Sequence, residues 1–123
     1  MKTKVYTEED FSRFDYHVRK WIEKLGLTEW NVEVQHEQIG EKVQSRCSYN
    51  NVSKNCLFKL TKILEYSFGV IEDLNKLALH EVLHLAMADY TWLASQTKDE
   101  YSDASISHEH ELINRLARVI IKD

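Results

Sequence analysis

The chain has 123 residues, a mass of 14.6 kDa and a formal net charge of −4, and 43% of its residues are hydrophobic. This length supports one hydrophobic core, so we predict a single domain over residues 1–123. The negative charge argues against a surface dedicated to nucleic-acid phosphates, and no apolar run approaches the ~20 residues of a membrane span. Three glycines and no proline leave no glycine-rich phosphate loop.

The compartment is predicted from the N-terminus, and the state of the cysteines is predicted from the compartment. The opening sequence MKTKVYTEEDF lacks the apolar segment of a secretion signal, which predicts a cytoplasmic protein. In a reducing compartment Cys47 and Cys56 are expected to be free buried thiols, and their spacing is not that of a zinc-binding pair.

The first predicted element is a helix over TEEDFSRFDYHVRKWIEKLG. Thr7 stands three residues before Asp10, as in a capping box, and Gly26 ends the pattern. Apolar residues recur at intervals of three and four and predict one buried face, made of Phe11, Phe14, Val18, Trp21, Ile22 and Leu25.

Three strands are predicted next, over WNVEVQHE, VQSRCSY and CLFKLTKIL. In the first two, apolar and polar residues alternate as in half-buried strands, and polar turns at QIGEK and NNVSKN separate the three. Their order predicts a small antiparallel meander. Two helices should follow, one in VIEDLNKLALHEVLHLAMADY and one in ASISHEHELINRLARVIIK, which makes the fold class α+β.

The stretch LHEVLH, residues 79–84, is the strongest functional signal. Residues four apart lie about 40° apart around a helix and ~6 Å apart along it, so His80 and His84 can bind one metal ion. Glu81 is displaced by about 100° from His80, which suits a general base that takes a proton from a metal-bound water.

The surroundings of this motif favour a metal site over a chance pattern. From Leu77 to Ala88 every residue except His80, Glu81 and His84 is apolar, so the helix should be nearly buried on all sides. Burying polar side chains costs free energy unless they are paired, hydrogen-bonded or bound to metal. We therefore predict one zinc ion as the cofactor.

Catalytic zinc usually has three protein ligands, and the third is expected from SHEHE, residues 107–111. Glu109 is the favoured ligand because it shares a helical stripe with Leu112, Ile113, Leu116 and Ile120. Glu111 shares a face with Arg115, which favours an exposed ion pair, and His110 flanks that outer face. His108, at the edge of the apolar arc, stays open as a ligand, as does Glu111.

Five other polar side chains have ordinary interpretations that outweigh functional ones. Asp73 could orient an imidazole but suits a helix start better. The hydroxyl of Tyr90 or Tyr101 could stabilise an oxyanion, although packing is the simpler expectation. His17 and His36 are predicted to be boundary or half-exposed side chains.

With LHEVLH and, 25 residues later, EHELINRLA, the chain resembles a minimal zincin of the gluzincin kind. It is similar in outline to small intracellular metallopeptidase-like proteins of the SprT-like and ImmA/IrrE-like groups and to short phage relatives. The resemblance implies His80 and His84 as zinc ligands, Glu81 as base and Glu109 as third ligand. It also implies a zincin-like fold with an N-terminal helix, a three-stranded antiparallel sheet, the HExxH helix and a C-terminal helix. SprT-like proteins use a third histidine, and none lies between His84 and His108.

The leading functional hypothesis is a zinc metallopeptidase that hydrolyses peptide bonds in a peptide or protein substrate, in the host cytoplasm if the chain is phage-encoded. The alternative is a non-catalytic zincin-fold metal-binding or regulatory protein. A third hypothesis, nucleic-acid binding through Arg115, Arg118 and Lys122, is disfavoured by the net charge. The sequence leaves the oligomeric state, the native metal and the cleavage specificity open.

Overall fold

A computed structural model of the protein describes residues 1–88 and 103–121, with side chains described for 1–88 and 109–121. In chain order its elements are β1 (Lys2–Val5), α1 (Glu8–Lys24), β2 (Asn31–His36), β3 (Ser45–Asn50), β4 (Asn55–Leu60), β5 (Ile63–Tyr66), α2 (Leu74–Ala86) and α3 (Asp103–Ile120). The α+β class predicted from the sequence is confirmed.

Helix α1 begins as the sequence predicts. The Thr7 hydroxyl accepts a hydrogen bond from the Asp10 backbone N–H at 3.1 Å, and the Asp10 carboxylate accepts one from the Thr7 N–H at 2.9 Å. This reciprocal pair is a capping box, which satisfies two backbone donors at the helix start. Gly26 follows the helix with a φ of 71°, a conformation that glycine adopts without strain. Four apolar side chains of α1 are buried: Phe14, Val18, Trp21 and Ile22.

The three-stranded sheet differs from the predicted antiparallel meander. Its strand order is β2-β4-β3, with β2 parallel to β4 and β3 antiparallel to β4, so the sheet is mixed. The prediction was wrong because it paired strands in chain order. The last strand instead takes the centre, because Cys56, Phe58 and Leu60 alternate along β4 and are all buried there.

The predicted third strand, CLFKLTKIL, is two strands in the structure. It breaks at Thr61 and Lys62, and the second part, β5, pairs antiparallel with β1 in a separate two-stranded sheet. Strand β1 was not predicted, because a four-residue strand at a chain end carries little periodicity. Thr61 is fully buried, and its backbone N–H donates to the Gln44 carbonyl at 3.1 Å.

Helix α2 lies at the centre of the molecule and contacts α1, β3 and α3. It begins at Leu74, one residue after Asp73, whose carboxylate caps the helix by accepting from the backbone N–H of Asn75 (2.8 Å) and of Lys76 (3.1 Å). Its buried apolar side chains surround the helix, as the sequence predicts: Leu77, Ala78, Leu79, Val82, Leu83 and Leu85. Glu81 is buried among them. No helix in the described ranges is long and apolar enough to cross a membrane.

Candidate metal centre

Helix α2 presents its two motif histidines on one face. The ring centroids of His80 and His84 are 5.0 Å apart, with the ring planes at 78°. Both side chains are partly buried, and the geometry follows directly from their four-residue spacing on a helix. The predicted proximity of the two imidazoles is confirmed.

Helix α3 adds a third imidazole. The His110 ring lies 4.7 Å from the His84 ring and 6.1 Å from the His80 ring, measured between centroids. Each of the three histidines offers one ring nitrogen such that all three nitrogens lie within 4.8 Å of one another. The three residues together are called the histidine cluster below.

The donor set of the histidine cluster suits a metal ion. Zinc binds imidazole nitrogen at about 2.0–2.1 Å, so tetrahedral ligands lie about 3.4 Å apart. The three ring nitrogens lie within 4.8 Å of one another, which is wider than that spacing, so binding of one ion requires the side chains to move closer together. The His110 side chain is exposed, so this side of the cluster is open to solvent. Three imidazole nitrogens are a donor set that divalent transition metals accept.

Both α2 imidazoles are held in the neutral form that a metal requires. Burial lowers the pKa of His80 to about 4, with further lowering by His84 and His110 and an opposing hydrogen bond with the Asn114 side chain. Burial also lowers the pKa of His84, against a hydrogen bond to Glu109 that raises it. Since protons compete with metal for imidazole nitrogen, neutral histidines bind metal without that cost at neutral pH.

Glu109, the third ligand favoured by sequence, is buried beside the cluster. The residue is 8% exposed, and its Oε1 lies 3.4 Å from His84 Nδ1. That separation fits a carboxylate that orients a ligating imidazole through its other ring nitrogen. It also matches the spacing of two ligands on one ion. Ligation by Glu109 therefore stays a prediction, alongside the third imidazole that the structure adds.

Glu81 points to the sheet and makes no hydrogen bond or ion pair with the histidine cluster among the described side chains. It is 6% exposed, and its Oε2 accepts a hydrogen bond from the Ser45 hydroxyl of β3 at 2.5 Å. Burial raises the pKa of Glu81 to about 7, against lowering by Ser45 and Arg46. A carboxylate with a pKa near neutrality is suited to accept a proton at physiological pH.

None of the remaining candidate site residues that the structure describes lies in the histidine cluster. Glu111 accepts from Arg115 at 2.7 Å in an exposed ion pair, as the i,i+4 interpretation predicts. The side chain of His108 and the whole of Tyr90 and Tyr101 lie outside the described residues. Asp73 caps α2, which confirms its ordinary interpretation.

The two other histidines examined by sequence lie away from the cluster. The His17 ring is 3.0 Å from the Lys20 ammonium, and burial lowers the His17 pKa. His36 stacks on Phe11, with ring centroids 5.2 Å apart and planes at 6°. Among the described residues, neither belongs to a group of three or more potential metal ligands.

Two side chains that lie against the motif residues were not singled out from the sequence: His110 and Ser45. His110 precedes Ile113 by three residues, Ala117 by seven and Ile121 by eleven, and all three are buried or half-buried. This second apolar stripe indicates that His110 borders the buried face of α3, but the prediction followed the longer apolar stripe in line with Glu109. The pairing of Ser45 with Glu81 depends on how β3 lies against α2, and no local pattern encodes it.

No protein-family model, curated protein or solved structure matches the chain. The zincin resemblance therefore depends on the HExxH motif and its surroundings alone.

Proposed function

We propose that this protein is a zinc-dependent metallopeptidase with a zincin-like site between α2 and α3. The observation that supports the proposal best is the histidine cluster, in which ring nitrogens from two helices lie within 4.8 Å of one another. Next to it on α2, Glu81 is a buried carboxylate with a pKa near neutrality. A nitrogen-rich metal site with an adjacent base is the combination that metal-assisted hydrolysis requires.

Each side chain has a separate task in this proposal. Bound zinc would lower the pKa of a water and polarise the carbonyl of the peptide bond. His80 and His84 would hold the ion as neutral imidazoles, and Glu81 would be the group that accepts a proton from water. Ser45 keeps the Glu81 carboxylate in one position through its 2.5 Å hydrogen bond. The solvent-exposed His110 side leaves room for an extended peptide or protein segment as substrate.

The third ligand comes from α3, and the cluster geometry favours His110 over Glu109. In this arrangement Glu109 accepts the Nδ1–H of His84 and fixes the orientation of that ring, while His110 contributes its nitrogen to the ion. Loss of a ligand should weaken zinc binding much more than loss of an orienting carboxylate, which typically costs 10- to 100-fold in affinity.

Metal analysis of purified variants tests this assignment. We expect one zinc per chain in the wild type, none retained in His80→Ala or His84→Ala, and weak binding in His110→Ala. Glu109→Gln should retain zinc with reduced affinity. Retention by His110→Ala together with complete loss from Glu109→Gln would show that the carboxylate is the ligand. A wild type without affinity for zinc, cobalt or manganese would refute the metal site itself.

Peptide hydrolysis tests the activity separately. Zinc-loaded wild type should cleave a library of unstructured peptides, and Glu81→Gln should lose at least about 100-fold in kcat while it keeps its zinc. Arg115→Ala is the matched surface control, because Arg115 pairs only with exposed Glu111 among the described side chains. Equal turnover by wild type and Glu81→Gln would exclude Glu81 as the base.

A second candidate is a non-catalytic metal-binding or regulatory protein. It is favoured by one observation, namely that the cluster connects α2 to α3, so an ion there would fasten the last helix to the core. In that case zinc should raise the thermal midpoint of unfolding, and neither the wild type nor Glu81→Gln should cleave any peptide. Nucleic-acid binding is less well supported, since Arg115 is already paired with Glu111.

A further inference from the structure

A cavity of about 340 Å³ opens directly beside the histidine cluster, between α2 and α3. His80 forms part of its wall, so whatever occupies the cavity is next to the proposed zinc ion. The volume is at the lower end of the range for small-ligand sites and suits one substrate residue.

The walls of this cavity combine apolar and basic groups. Aliphatic side chains cover one part of it, from Ile71, Ala117 and Ile121. Lys76 and Arg118 bring two cationic groups to the same space, and Asn114 adds an amide. None of the lining side chains in the described ranges carries a carboxylate.

Two arginines of α3, one turn apart, differ in how their charge is balanced. Arg115 makes an ion pair with Glu111 at 2.7 Å. Arg118 donates from Nε to the Asn114 backbone carbonyl at 3.3 Å and makes no ion pair with any side chain of residues 1–88 or 109–121. Its terminal amino groups can therefore serve a ligand, and a guanidinium offers the planar pair of donors that fits a carboxylate.

We propose that this cavity binds a substrate carboxylate carried on an aliphatic stem, with Arg118 as the residue that determines this specificity. The inference depends on the proposed peptidase function and names its substrate class. The stem packs against the three aliphatic side chains, and Arg118 donates hydrogen bonds to the carboxylate. Such a carboxylate comes either from a glutamate side chain or from the C-terminus of a peptide, and both share this chemistry.

Binding to zinc-loaded Glu81→Gln tests the cavity without requiring turnover. The probes are capped, amidated six-residue peptides with glutamate or its neutral isostere glutamine scanned through the interior positions. A second pair of neutral peptides ends in leucine, either as the free acid or as the amide. Dissociation constants are measured by isothermal titration calorimetry. At least one charged peptide should bind about tenfold tighter than its neutral match, and the pair that shows the difference identifies the source of the carboxylate.

Arginine variants in the same background locate the effect. In Arg118→Ala the ratio between charged and neutral peptides should fall to about one, in Arg118→Lys it should recover in part, and in Arg115→Ala it should stay unchanged. Circular dichroism verifies that each variant is folded, and Arg118→Lys provides the test if the alanine variant is not. Equal affinities in every pair, no binding of any peptide, or a preference that survives Arg118→Ala would overturn the proposal.

Turnover by the zinc-loaded wild type separates this inference from the function on which it depends. If peptides are cleaved but charged and neutral peptides bind with equal affinity, the carboxylate site is refuted and the peptidase function is not. If no peptide is cleaved but charged peptides bind more tightly than neutral ones through Arg118, the peptidase function is refuted and a carboxylate-binding metal protein remains.

Discussion

The hydrogen bond from Ser45 to Glu81 joins the sheet to the HExxH helix, and its removal should have a measurable cost. Glu81 is 6% exposed, and among the described residues its carboxylate accepts a hydrogen bond from Ser45, at 2.5 Å. Hydrogen bonds to ionised groups contribute about 1.5–3 kcal/mol, and a buried acceptor left without one retains its desolvation penalty. We expect Ser45→Ala to lower the free energy of unfolding by about 2 kcal/mol.

A double-mutant cycle isolates this contact from other effects of the substitution. Ser45→Ala, Glu81→Leu and the double variant are unfolded in urea, with EDTA present so that metal does not contribute. The pH is 8.5, above the Glu81 pKa of about 7, so the carboxylate is ionised. Leucine removes the acceptor and the charge and suits the apolar helix around it. The coupling free energy should be about 2 kcal/mol.

Ser48→Ala is the matched control, because Ser48 lies on the exposed face of the same strand. It should change the free energy of unfolding by less than about 0.5 kcal/mol. If Ser45→Ala costs as much in the Glu81→Leu background as in the wild type, the two effects are additive and the contact does not position the base.

Three further predictions concern titration, thiol reactivity and helix capping. Since the Glu81 pKa is raised from its ordinary 4.5 to about 7, the folded state binds that proton more tightly than the unfolded state. This stabilising contribution is fully present below pH 4.5 and is lost as the pH rises through the folded-state pKa of about 7. Relative to Glu81→Gln, the metal-free wild type should therefore lose about 2–3 kcal/mol between pH 5 and pH 8.5 in urea unfolding, and a constant difference would contradict the burial of this carboxyl. Burial raises the pKa of Cys47, and that of Cys56 to about 11, so both thiols should react with a disulfide reagent at pH 8 only in urea; fast reaction of the native protein would contradict this. Thr7→Ala should cost about 1 kcal/mol in the same unfolding assay through loss of the capping box, whereas Thr7→Ser should be nearly neutral.

Local patterns predicted the helices well and the sheet less well. The capping box of α1, the burial of the apolar residues of α2 and the proximity of His80 to His84 all follow from local patterns along a helix. Strand pairing does not, because alternation marks a strand but does not specify its neighbour. Hence β4 was correctly predicted as a strand but incorrectly placed, and the break that separates it from β5 was missed.

The candidate site divides in the same way. The sequence alone determined that two imidazoles and a carboxylate lie on one buried helix, because a helix places residues four apart on one face whatever surrounds it. Only the tertiary structure decided that His110 approaches them from α3, that Glu109 contacts His84, and that Ser45 holds Glu81. These contacts join residues far apart in sequence, and they depend on the rotation of α3 and on the register of β3 against α2, which many side chains set together through packing.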